Sequence, residues 1–176
     1  MKKIIIAMGF ILAVISSSVF ASITYADTPM VIIDRVYNPN TGEHVYTNSA
    51  FEETRLVDLG WRGEGNAFFV PDNVYAMQNP KLVGPSVSRL YNPNAGDHFY
   101  TSNEYEIGEL LKKGWIRDQI NFSTAKVGLP VYRLYNPNAK VGSHFYTLSS
   151  YERDNLINHG WKYEGIAFRS INIWRN

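Results

Sequence analysis

Three histidines, His44, His98 and His144, stand at one equivalent place in a segment that the chain repeats three times. If those positions face a common axis, three imidazole nitrogens would converge, and three nitrogens can hold zinc or a similar ion. The competing reading is structural and is preferred: each histidine hydrogen-bonds its own Asn-Pro-Asn turn and fixes a hairpin. No HxH or HExxH spacing strengthens the metal reading. No cofactor is expected.

The same segments hold tyrosines and asparagines suited to another chemistry. Tyr37, Tyr91 and Tyr135 precede the turns, and Asn40, Asn94 and Asn138 lie within them. Aromatic faces stack on the C–H-rich faces of sugar rings, while tyrosine hydroxyls and asparagine amides bond sugar hydroxyls. Residues repeated this faithfully also suit packing and turn formation. Tyr75, Tyr163 and Trp174 do not follow the repeat and are further ligand candidates. Hydrolytic chemistry finds less support. A glycosidase needs two carboxylates across one cleft; Glu64 and Glu164 recur, but Asp118 stands in the middle copy and no partner acid is evident. No nucleophile elbow, P-loop or zinc-protease motif is present, so no enzyme is expected.

The positioning elements are legible in the repeat. "RVYNPNTGEHVYT" begins at Arg35, "RLYNPNAGDHFYT" at Arg89 and "RLYNPNAKVGSHFYT" at Arg133. Each copy predicts a β-hairpin whose loop is built from Asn, Pro and Gly. A helix of about three turns follows. Ser49–Glu52 and Ser149–Glu152 match capping boxes, Asn103 is the middle N-cap, and Gly60, Gly114 and Gly160 stop the helices. Phe51, Tyr105 and Tyr151 are expected on the apolar face. Trp61, Trp115 and Trp161 then open a second strand and are expected to cover the helix–sheet seam. Arg35, Arg89 and Arg133 are expected to pair with carboxylates such as Glu52, Glu106 and Glu152.

The resulting fold class is α+β and β-rich: three ββαβ repeats, at about 31–71, 87–123 and 131–170, arranged with pseudo-three-fold symmetry like a propeller or pinwheel. A unit of this size cannot bury both a sheet face and a helix face alone. A β-trefoil is the alternative, which the recurrent helix disfavours.

Composition narrows the setting. Lys2 and Lys3 precede the apolar run "IIIAMGFILAVI" and the small-residue site "TYA", the pattern of a signal peptide over residues 1–26. Its removal leaves 27–176 as one domain with 15 basic and 16 acidic residues. Such a balance offers no general attraction for nucleic acid or an anionic membrane. The chain contains no cysteine, which excludes disulfides and thiol chemistry.

The pattern RLYNPNxGxHFYT…GW…EGIAF, spanning about Arg35 to Arg169, resembles the repeat of a largely uncharacterised secreted bacterial family. That family usually carries sets of three and is often attached to peptidoglycan or glycoside hydrolases. The resemblance implies a secreted or cell-wall-associated, non-catalytic module that recognises wall polysaccharide or another glycan. A secreted protein-binding factor, an inhibitor or toxin-like, with the Val70–Ser88 linker as contact surface, is the second expectation. A hydrolase with an unrecognised site is the third.

Overall fold

The computed structural model describes residues 29–172, so the expected signal segment and Trp174 lie outside the described residues. Strand β1 (Met30–Tyr37) forms a hairpin with β2 (His44–Thr47); helix α1 (Ala50–Asp58) and strand β3 (Arg62–Pro71) complete the first repeat. Helix α2 (Asn73–Gln78) occupies the first linker. The second repeat comprises β4 (Val83–Asn92), β5 (Asp97–Thr101), α3 (Glu104–Lys112) and β6 (Ile116–Ala125). The third comprises β7 (Leu129–Tyr135), β8 (His144–Thr147), α4 (Ser150–Asn158) and β9 (Lys162–Ser170). Each repeat forms its own antiparallel three-stranded sheet with the first strand in the middle. The ββαβ reading therefore holds in all three copies. The trefoil alternative does not, because the described strands form three separate sheets and no barrel.

Local chemistry explains the hairpins. Each turn's first asparagine accepts the backbone N–H two residues on: Asn38 from Asn40, Asn92 from Asn94 and Asn136 from Asn138, all at 3.0 Å. This side-chain mimic of a backbone turn fixes the loop. It also sets the register, so Arg35 lies opposite Tyr46, Arg89 opposite Tyr100 and Arg133 opposite Tyr146.

The helix stops match expectation, but the capping boxes are only half formed. Ser49 and Ser149 accept the N–H of Glu52 and Glu152, and Asn103 accepts those of Tyr105 and Glu106. The caps' own N–H groups are taken by Thr47, Thr101 and Thr147 at 2.9–3.0 Å. That frees the glutamates for other partners. At the far ends the tryptophan N–H groups reach back to Leu56, Leu110 and Leu156, with the intervening glycines at positive φ. This is the Schellman arrangement.

The apolar-face expectation fails at its first residue. Phe51, Tyr105 and Tyr151 are 77%, 76% and 77% exposed. Helices α1 and α4 have no buried residue and α3 has only Ile107. These helices lie at the periphery, and a larger share of the buried apolar surface is in the strands. The linker helix α2 was not foreseen. Asp72 caps it, and Asn73 docks it on β6 by accepting from the Ser123 N–H and hydroxyl.

The centre belongs to three tyrosines. The Tyr46 hydroxyl donates to the Tyr146 carbonyl at 2.8 Å, and that of Tyr146 to the Tyr100 carbonyl at 2.8 Å. The Tyr100 hydroxyl donates to the Tyr46 carbonyl at 2.9 Å. Each hydroxyl also accepts the N–H of the residue it serves. Six hydrogen bonds thus run in a cycle through all three repeats and satisfy backbone groups of the short second strands, which would otherwise be buried orphans. Burial pushes all three phenols well above their ordinary pKa. Around them pack Ile33, Phe68, Val70, Val87, Phe122, Val131 and Phe168 in one core fed by every repeat.

Candidate functional site

The boundaries between repeats gather most of the chemistry. Each repeat arginine is clamped by the freed helix glutamate of another repeat: Arg35 by Glu152, Arg89 by Glu52 and Arg133 by Glu106. The expected arginine–carboxylate pairing is correct, but it runs between repeats rather than within one. On its other side each arginine meets an acid from its own third strand: Glu64 at 2.7 Å, Asp118 at 2.7 Å and Glu164 at 2.9 Å. Arg89 hydrogen-bonds Asp118 through two nitrogens. The Nε atoms of Arg35 and Arg133 are close to their acids but misaligned, so those contacts are ion pairs without a formed hydrogen bond.

The histidines sit at these boundaries and not at the centre, where the tyrosines stand. His44 packs against Tyr37 at 4.8 Å and edge-on against Phe145 of the third repeat at 4.8 Å. His144 does the same with Tyr135 at 5.1 Å and Phe99 at 4.6 Å. His98 stacks on Tyr91 at 4.9 Å, but Val45 replaces the phenylalanine, and its Nδ1 lies 2.6 Å from Glu43. The axial metal arrangement is thereby corrected. Among the described residues, no three His, Asp or Glu side chains gather so as to hold a metal. The turn-locking reading applies to His44, which bonds the backbone of Gly42, whereas His144 lies 3.0 Å from the Ser143 hydroxyl. Burial first, and then the Arg35 charge, lower the His44 pKa to about 4.

The boundary between the second and third repeats opens into a cleft of about 460 Å³, within the range of small-molecule sites. Phe99, Leu110 and Trp115 form its apolar wall, while Arg133, His144 and Glu164 supply polar groups. Tyr105 stands at its edge, and the Arg133 guanidinium lies 5.2 Å from the Phe99 ring centre. Trp115 is half-buried against Phe99 at 6.4 Å, so it covers the seam and also reaches the cleft. The third-to-first boundary repeats these features: Arg35 lies over Phe145 at 5.0 Å and Trp161 packs on Phe145 at 6.3 Å. Hollows of about 150 and 220 Å³ flank Glu152 there, one lined by Tyr151 and the other by Arg35 and Glu64.

A family match covers residues 32–171. The chain belongs to the DUF5648 family, a domain of unknown function. No match was found among curated proteins or among solved structures. Membership fits the coarser expectation of a family without an assigned function.

Within this DUF5648 chain the sequence candidates are scattered. Tyr37, Tyr91 and Tyr135 are half-buried and back the histidine rings. Asn40, Asn94 and Asn138 are exposed on the hairpin tips. Tyr75 lies on α2 and is not among the residues lining the cleft. Tyr163 forms a separate cluster in which Arg153 lies over Tyr132 at 4.5 Å and Tyr163 at 5.8 Å. The cleft residues that sequence reasoning missed as ligand candidates include Phe99, Tyr105, Leu110, Lys113, Trp115 and Arg133. One signal was available: an aromatic follows the first helical residue in every copy, where a surface helix favours polar side chains.

Glu106 and Glu164 in the cleft are held ionised. The His144 hydrogen bond, against opposing burial, lowers the Glu164 pKa with help from Arg133. Burial raises that of Glu106, but the bonds from Arg133 and Thr101 outweigh it and leave it lowered. A general acid requires the opposite shift.

Proposed function

We propose that this chain is an exported, non-catalytic module that binds cell-wall or other glycan, with the cleft between its second and third repeats as the principal site. The observation that carries the reading is Tyr105, an aromatic residue 76% exposed beside an apolar wall of Phe99, Leu110 and Trp115 with charged groups set around it. Exposed rings beside clefts suit the flat C–H faces of pyranoses, and the polar rim suits their hydroxyls. A pinwheel of three such units would present its clefts around the rim, so weak individual contacts could add through avidity on a polymer.

Retention of the full chain on purified peptidoglycan and on a glycan array tests the reading. Binding should fall sharply for Tyr105→Ala and for Trp115→Ala. Absence of retention on both supports defeats it. A protein-binding role is the second reading, favoured by Val74 and Met77, which leave α2 of the linker with an exposed apolar face. No retention on either glycan support, together with binding of a protein partner by the full chain that is lost in Met77→Asp, would move the site to that face.

A further inference from the structure

The three repeat boundaries are not equivalent, and the difference is systematic. At the second-to-third and third-to-first boundaries a phenylalanine lies under the arginine, a glutamate comes from the third strand, and the exposed helical ring is a tyrosine. At the first-to-second boundary Val45 replaces the phenylalanine, Asp118 the glutamate and Phe51 the tyrosine. The shorter acid draws Arg89 into a fully bonded clamp with its side chain 3% exposed, against 18% for Arg35 and 16% for Arg133. Val45 provides no aromatic surface, and Phe51 has no hydroxyl to bond a ligand.

We infer that the protein carries two ligand clefts, not three, at the Tyr105 and Tyr151 boundaries, each taking an uncharged pyranose, while the Arg89 boundary serves only as an internal brace. This rests on the glycan reading above. The sugar class follows from charge. Each boundary places one arginine between two carboxylates, leaving an excess negative charge that disfavours uronate- or phosphate-bearing polymers. The arginines are committed to protein carboxylates, and Lys113, the further cation lining the second-to-third cleft, shares it with Glu106, Glu109 and Glu164, so that cleft keeps its negative excess.

Aromatic-ring NMR of the full chain, titrated with an N-acetylglucosamine tetramer and separately with a galacturonate tetramer, tests this. The neutral probe should shift the Tyr105 and Tyr151 rings and leave Phe51 unmoved, with a stoichiometry of two by calorimetry. Tyr105→Ala and Tyr151→Ala should each remove one site, and the double variant should weaken binding by at least about tenfold. Phe51→Ala should retain both sites. A Phe51 shift that tracks the tyrosines, a stoichiometry of three, or tighter binding of galacturonate overturns the inference while leaving glycan binding intact. Failure of both probes to shift any ring, with no retention on peptidoglycan, overturns the glycan reading itself and this inference with it.

Discussion

The Tyr146 N–H and the Tyr46 hydroxyl are joined at 2.9 Å, and the same hydroxyl donates to the Tyr146 carbonyl at 2.8 Å. One side chain therefore satisfies both backbone groups of a residue 100 positions away. Two further tyrosines complete the cycle, which no single repeat could form.

Removing one hydroxyl should damage this cycle out of proportion to its size. Tyr100→Phe leaves the buried N–H and carbonyl of Tyr46 without partners, at a cost of roughly 2–5 kcal/mol. Urea denaturation should show similar losses for Tyr46→Phe and Tyr146→Phe. Double variants should be non-additive because the bonds share residues. A midpoint unchanged in all three single variants would remove the cycle from the account of stability.

The raised phenol pKa values make a separate prediction. Ultraviolet titration of the folded protein should find Tyr46, Tyr100 and Tyr146 un-ionised at a pH where exposed tyrosines have become phenolate. Their ionisation should appear only together with unfolding.

The arginine braces should differ in strength. Arg89→Ala leaves Glu52 and Asp118 facing each other and should cost about 3–5 kcal/mol. Arg35→Ala removes longer bonds of 3.2 and 3.4 Å from a more exposed site and should cost roughly 1–3 kcal/mol. The order of the two denaturation midpoints checks this.

Acidification should destabilise the protein from about pH 6.5 downward. His44 has its folded pKa depressed from 6.5 to about 4, so in that window the unfolded chain binds a proton that the folded chain does not. The contribution is fully present above pH 6.5 and is lost as pH falls, reaching roughly 3 kcal/mol by pH 4. Glu52, Glu106 and Glu152 are lowered below 4.5 and add their losses in more acidic solution. His44→Gln should flatten the stability curve between pH 6.5 and 4.5; an unchanged slope would count against the assignment.

Two glycines with positive φ should respond unequally. A Cβ on Gly142 would lie 2.7 Å from the Glu43 N and Cα atoms, whereas one on Gly114 meets nothing within 4 Å. Gly114→Ala should cost about 1 kcal/mol from backbone strain alone. Gly142→Ala should cost several times more, because the third hairpin tip can no longer seat against the first. Paired thermal melts would show it.

Periodicity and turn chemistry determined much of this protein from sequence alone. Asn-Pro-Asn turns, alternating strands, polar caps and Gly-Trp stops are local signals, so the three ββαβ units were legible. So was the availability of Arg35, Arg89 and Arg133 for carboxylates, though not which repeat would supply them. Helix α2 was missed because six residues between Asp72 and Asn79 carry too little periodicity to stand out from a linker. Only the tertiary structure decided that tyrosines, not histidines, occupy the centre. Both residue types recur with the same spacing, and His98 and Tyr100 point alike along one strand, so sequence pattern could not rank them. The deciding contacts join residues tens of positions apart: a buried hydroxyl must find partners, and the other repeats' second strands offer unpaired backbone at the distance a tyrosine spans. The same holds for Phe51, Tyr105 and Tyr151. Their spacing reads as a core stripe, but once the glutamate beside each turns inward to another repeat's arginine, the aromatic ring is left facing solvent.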